Sequence, residues 1–190
     1  SSGGINLTNQ FLIAMPGIGG DTFAGAVIYL CEHTDKGALG LVINKPIDIK
    51  LKNLFEKVEL SLDRVDLAES PVYYGGPVQT ERGFVLHEQI DDESRFNSSL
   101  RIPGGLEMTT SKDVLEALSS GTGPTKILVT LGYSGWGAGQ LEEEMGRNSW
   151  INVEAQPEII FNTPVEQRYD KALSLLGIDP AMLSADAGHA

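Results

Sequence analysis

The sequence predicts an α+β fold: a single domain with a mainly antiparallel sheet and three to four flanking helices. Three observations carry that prediction. Short apolar runs rich in β-branched residues outnumber the helical periodicities. Two of these runs, within residues 25–46, are joined by Thr34-Asp35-Lys36-Gly37, and Asp and Gly suit the positive φ of a tight hairpin. No strict alternation of strand and helix, the mark of a parallel sheet, runs through the chain. At 190 residues, 41% hydrophobic and 21% charged, the chain has the size and composition of one globular domain with a substantial core.

Taken in order, Phe11–Met15 reads as a strand ended by Pro16 and by Gly17, Gly19 and Gly20. Gly25–His33 and Gly37–Asn44 form the hairpin, with Pro46 stopping its second arm. Leu51, Leu54, Phe55 and Val58 mark one face of an amphipathic helix. Residues 59–70 read as an acidic loop or frayed helix. Val72–Tyr74, Gly83–His87 and Leu100–Ile102 are further strands, and Asp91-Asp92-Glu93 is a charged turn. Thr110 and Asp113 open a helix through Leu118 that Gly121 stops. Trp150–Val153 and Glu158–Phe161 read as strands. Thr163-Pro164-Val165-Glu166 then starts a helix whose Val165, Tyr169, Leu173 and Leu176 face the core, with Gly177 as its end. Ser1-Ser2-Gly3-Gly4 looks like an expression remnant; residues 1–5 are expected to fray and 184–190, with His189, to form a mobile tail.

The stretch with the most chemical promise is 127–150. A buried strand at Ile127–Leu131 leads into Gly132, Gly135, Gly137 and Gly139, read as a tight loop over 132–139, and then into an acidic helix. It is not a phosphate loop, since Ala138 and Gly139 stand where Lys and Ser or Thr are needed. Gln140 replaces the third glycine of a dinucleotide fingerprint, and Trp136 replaces the second glycine of a nucleophile elbow at Ser134. Glu142, Glu143 and Glu144 already occupy the positive end of the following helix. Two readings stand. Either Trp136 is a core plug under a structural turn, or Tyr133, Ser134 and Trp136 line a binding site. The plug is preferred, because so much glycine needs a large apolar anchor to offset its ordering entropy.

Net charge is −12, distributed as −1, −6 and −5 over residues 1–60, 61–120 and 121–190. Duplex binding needs a basic face, and only Lys45, Lys50, Lys52 and Lys57 cluster, most simply as a solvated surface. Direct nucleic-acid binding is therefore disfavoured. No apolar run approaches bilayer length, and the single cysteine, Cys31, permits no intramolecular disulfide, so a cytoplasmic location is expected. Cys31-Glu32-His33 would place Cys31 and His33 on one strand face and Glu32 on the other. Cys31 is expected to be buried and inert, and His33 to cap the surface near the turn. His33 and His87, with Glu32 or Glu88, would make a minimal metal set only if their strands were neighbours; no metal and no cofactor are expected. Asn44 and Lys45 end a strand, and Tyr74 adjoins the bare backbone of Gly75-Gly76-Pro77; both suit binding as well as turn formation.

FLIAMP (11–16), VIYLCEH (27–33), GALGLVINKP (37–46), VYYGGPV (72–78), RGFVLH (82–87), LGYSGWGAGQLE (131–142) and the terminal LSADAGHA resemble, in order, the bacterial YqgE/AlgH family. The resemblance implies one α+β domain whose bifurcated, largely antiparallel sheet curls into a pseudo-barrel. It also implies a cytoplasmic bacterial protein, associated through the AlgH name with transcriptional control of alginate. It brings no catalytic residues with it. The expectation is a regulator that acts through a protein partner or a small ligand. Its binding candidates are Asn44, Lys45, Tyr74, His87, Tyr133, Ser134 and Trp136. The alternative is an enzyme with a pocket at the 132–139 loop, completed by Asn44, Lys45 or His87.

Overall fold

The computed structural model describes residues 5–15 and 23–177; the glycines at 17, 19 and 20, residues 1–4, the 184–190 tail and His189 lie outside the described residues. The strands are β1 (Gln10–Ala14), β2 (Val27–Thr34), β3 (Gly37–Val42), β4 (Pro46–Lys50), β5 (Pro71–Tyr74), β6 (Val78–Glu88), β7 (Ser99–Ile102), β8 (Leu106–Thr109), β9 (Ile127–Gly137) and β10 (Trp150–Glu154). Six short helices are described: α1 (Leu51–Lys57), α2 (Val65–Ala68), α3 (Asp113–Ser120), α4 (Gln140–Gly146), α5 (Pro157–Phe161) and α6 (Arg168–Ser174). That exceeds the three or four expected, because α2 and α5 span under two turns each and show little periodicity. None of the described helices is long and apolar enough to cross a membrane.

The sheet runs β10-β1-β2-β3-β9-β6-β8-β7, with β4 and β5 branching from β9. Among the described residues every strand pairing is antiparallel except that of β5 with β9. The predicted hairpin forms as read, with Thr34 opposite Gly37 across the two-residue turn. β9 is the hub. One of its edges pairs with β6, while the other is handed from β5, at Thr130 and Leu131, to β3, at Ser134 to Gly137. The sheet therefore forks where the sequence concentrates its glycines.

At that fork two backbones nearly touch. Gly75 N–H donates to Leu131 O at 2.9 Å, and Gly75 O accepts both Val42 N–H at 2.9 Å and the Ser134 hydroxyl at 3.1 Å. A Cβ on Gly75 would lie 2.2 Å from Gly132 O, and one on Gly76 2.2 Å from Tyr133 C. Gly132 and Gly76 also have φ of 80° and 151°. Only glycine meets both demands, of space and of handedness. The expected loop over 132–139 is thus corrected: residues 132–137 continue β9, and only Ala138 and Gly139 turn the chain into α4. The glycines permit close pairing of strands rather than a tight loop.

The described residues form three apolar clusters. The largest lies inside the curled sheet, with Phe11, Tyr29, Leu86 and Ile102 at its centre and Ile160 and Leu173 of α5 and α6 closing one side. A second lies on the other face of β1–β3, under α4, and contains Trp136 and Trp150. The third packs α1 and α3 onto β5, β6 and β9. Residues 158–161, expected as a strand, belong to α5. Pro157 occupies its first turn, where the missing N–H costs nothing. β4 and β8 have no counterpart in the sequence reading. β8 is buried throughout, between β6 and β7, so its pattern carries no alternation. α6 begins after a 3-10 turn at Val165–Gln167, and Thr163 does not cap it: its hydroxyl donates to Glu158 O at 3.2 Å.

A register shift between Leu30 and Glu32 alters the Cys31-Glu32-His33 reading. The bulge adds one residue to β2, so Cys31 joins the inner core and Glu32, opposite Leu39, is exposed on the same face. His33 turns to the other face, opposite Ala38, and is buried rather than surface-capping. Its Nδ1 accepts Leu7 N–H at 3.1 Å, and Nε2 lies 3.2 Å from Glu142 Oε2. Cys31 is 1% exposed, and burial pushes its thiol well above the ordinary range. Thiol reagents at neutral pH should therefore label the native protein no faster than it opens, and rapid labelling would contradict the buried position. Cys31→Ala should lower stability modestly, by about 1 kcal/mol, as a small packing loss read by denaturant unfolding.

Candidate functional site

The structure sorts the seven candidate residues into three places. Asn44 and Lys45 follow β3 and clamp the chain that enters β2. Asn44 Oδ1 accepts Val27 N–H at 2.9 Å, and its Nδ2 donates to Gly25 O at 2.9 Å. Lys45 Nζ donates to Ala24 O at 2.6 Å. Tyr74, half-buried at the end of β5, donates its backbone N–H to Lys45 O at 2.7 Å, and partial burial raises its phenol pKa. These three form one corner beside the fork.

Tyr133, Ser134 and Trp136 follow each other on β9. Ser134 is buried, with its hydroxyl spent on Gly75 O. Tyr133 packs edge-to-face on Phe84, the ring centres 5.4 Å apart. Trp136 is 7% exposed, and its indole stands edge-to-face with Trp150 at 6.1 Å. Both indole N–H groups donate to one oxygen of Glu144, at 3.0 and 2.9 Å, and Gln140 donates to the other at 3.0 Å. Trp136 is therefore a core plug fastened by a carboxylate. A hollow of about 420 Å³ remains beside it, bordered by Tyr133 and by Glu32 and Lys36 of the hairpin.

His87 stands apart. It pairs with Ile127, at the opposite end of β9 from Trp136, so it does not complete a site with the 132–139 segment. Nor does it meet His33, whose partner Ala38 pairs with Trp136. The His87 ring is fully buried against Phe96; Nε2 lies 2.8 Å from Thr109 Oγ1 and Nδ1 2.9 Å from Glu88 O. Burial lowers its pKa, so the imidazole is neutral near pH 7.

A different set of residues lines a cleft of about 400 Å³ where α2, the start of β9 and the α5–α6 segment meet. Its apolar walls include Leu67, Tyr73 and Phe161, and its charges are Arg64, Asp66, Lys126 and Arg168. Arg64 is committed: its guanidinium pairs with Asp66 at 2.6 Å and donates to Pro124 O and Thr125 O, both at 3.1 Å. Asp66 is held below the usual carboxylate range by that hydrogen bond. Arg168 is only 6% exposed. Its Nε donates to Thr163 O at 3.0 Å, Nη1 donates to Ile43 O, and the guanidinium lies 5.0 Å from the Tyr73 ring centre. Among the described residues neither Arg168 nor Lys126 has a carboxylate partner.

Sequence reasoning passed over this cleft. One signal was present: Arg168 falls between Val165 and Ala172 at helical spacing, a charge on an otherwise apolar stripe. Arg64 and Lys126 sit in connections, where spacing says nothing about what they approach.

A family model described as AlgH-like matches residues 11–181. A UPF0301 protein of Ralstonia nicotianae is 67% identical over 98% of this chain and 96% of its own length. Another, from a Polaromonas species, is 68% identical over 98% of this chain and 96% of its own. Among solved structures, the AlgH protein from Pseudomonas aeruginosa matches with a TM-score of 0.78 and 45% identity, covering 100% of this chain and 99% of that one. A Corynebacterium diphtheriae protein matches with a TM-score of 0.69 at 19% identity, over 88% of this chain and 86% of that one, a likeness of fold alone.

Proposed function

The chain belongs to the AlgH-like family, and from that premise we propose that it is a cytoplasmic bacterial regulator that responds to a small ligand held in the cleft beneath α6, without binding DNA directly. One observation carries the reading. A nearly buried guanidinium forms a wall of the cleft and also ties α6 to the residue that follows β3, through Ile43 O, and to the 163 turn, through Thr163 O. A ligand that engages Arg168 would bear on the seating of the C-terminal helices as well as on the cleft. That is what a reporting protein needs, because a ligand shifts an equilibrium only by its differential contacts with the two states. The AlgH name's association with transcriptional control supports the regulatory half. The net charge of −12 supports the exclusion of direct DNA contact.

The test is capture from the source cell, with mass spectrometry of both proteins and metabolites, using the wild type and Ser70→Trp. Ser70 lines the cleft and is half-buried, so the indole would fill the space without replacing a core residue. A metabolite retained by the wild type and lost from the variant is expected. Identical metabolite profiles would count against the cleft. Submicromolar, salt-dependent binding of a promoter fragment, in the presence of excess unrelated DNA, would count against the exclusion of DNA.

A further inference from the structure

Taking the α6 cleft as the ligand site, we infer that it is an anion site, and that it accepts a small organic carboxylate or phosphate monoester with an apolar body. Arg168 is held in place but not neutralised. A guanidinium offers five N–H donors, and the two described hydrogen bonds run from Nε and Nη1 to backbone carbonyls. Carbonyls orient the group without neutralising it, and Tyr73 contributes its ring face. Neither described hydrogen bond uses the Nη2 end, and it belongs to a side chain that lines the cleft. A nearly buried cation held in place by neutral groups retains most of its attraction for an anion.

The charge around the cleft is locally positive. Lys126 lines the same cleft without an ion pair, while Arg64 and Asp66 cancel each other. The cleft therefore carries an excess of two positive charges on a protein of net charge −12. A local positive excess inside low-dielectric walls favours the approach of an anion, against the protein's overall negative charge. Leu67, Tyr73, Ile160 and Phe161 supply apolar walls around the cationic groups, which suits an anionic head on an apolar body better than a bare ion. Carboxylate and phosphate share the acceptor chemistry that a guanidinium end reads.

Titration of the isotopically labelled full chain with phenyl phosphate, benzoate, inorganic phosphate and phenol, followed by amide NMR shifts and by calorimetry, tests this. Phenyl phosphate and benzoate should shift the amides of Tyr73, Lys126 and Arg168, and each should bind at least about tenfold more tightly than phenol or inorganic phosphate. Lys126→Glu should weaken both organic anions by about tenfold and leave phenol unchanged. Lys126 is exposed, so this variant keeps the test sound even if Arg168→Ala does not fold. Phenol binding the same residues as tightly as the anions would overturn the anion assignment while leaving the cleft as a ligand site. Inorganic phosphate matching phenyl phosphate would overturn the apolar body. The absence of shifts at these residues with every probe up to about 10 mM would overturn both the assignment and the cleft.

Discussion

Gly76→Val is expected to abolish folding, and Gly75→Ala to come close to doing so. A Cβ at either position would lie 2.2 Å from an atom of the β9 backbone: Gly132 O for Gly75, and both C and O of Tyr133 for Gly76. A side-chain neighbour can rotate away, but these neighbours are backbone atoms inside the sheet, so relief requires separating strands. Overpacking of a tight core typically costs about 1–3 kcal/mol, and contact with backbone belongs at or beyond the upper end. Gly76 adds its φ of 151°, for which a β-branched residue incurs a further cost of about 1–3 kcal/mol. Gly75 O also bonds to Val42 N–H and Ser134, so moving this segment breaks the fork itself. The sum approaches the whole stability of a domain, about 5–15 kcal/mol. Denaturant unfolding followed by circular dichroism provides the measurement, with Gly137→Val as control. A Cβ at Gly137 would have no neighbour nearer than 3.9 Å, so that variant should fold normally. The sequence alone points instead to the glycines of 132–139, Gly137 among them. Native-like stability of Gly75→Ala would refute the close contact.

Trp136→Ala should cost about 3–5 kcal/mol, the range for emptying a large aromatic site in a core. The ring is 7% exposed, packs among Leu30, Leu141 and Trp150, and shares the Glu144 oxygen with the Trp150 indole. Removing it opens a cavity and leaves Glu144 with one indole donor fewer. Trp136→Phe should recover part of the packing but not the hydrogen bond, and so fall between alanine and the wild type. Melting temperatures of the three proteins decide the point. A shift within error for alanine would mean that Trp136 is not a plug at all.

Much of the fold is legible along the chain because its signals are local. The hairpin announces itself by Thr34-Asp35-Lys36-Gly37, α1 by the spacing of Leu51, Leu54 and Phe55, and the end of α3 by Gly121, whose φ is 83°. The elements that escaped notice lack such signals. β8 is buried on both faces, so its LEMT shows no alternation. α5 has two consecutive buried isoleucines, Ile159 and Ile160, which read as strand until Pro157 is seen to occupy its first turn. The bulge at Cys31 leaves no mark in the sequence, yet it reverses which face His33 takes.

The α+β class, the family, the acidic character and the need for glycine around β9 are all written in the chain, since each follows from residue type and near spacing. Where those glycines act and which charges meet is set by long-range pairing. Gly75 and Gly132 are far apart in the chain and touch because one edge of β9 passes from β5 to β3. Arg64, Lys126 and Arg168 come together because α2, β9 and α6 converge on one cleft. Spacing along a chain encodes helices and strands, whose contacts lie within a few residues. A cleft is made by long-range pairing, and the cost of closing those loops is recovered only when the whole sheet forms.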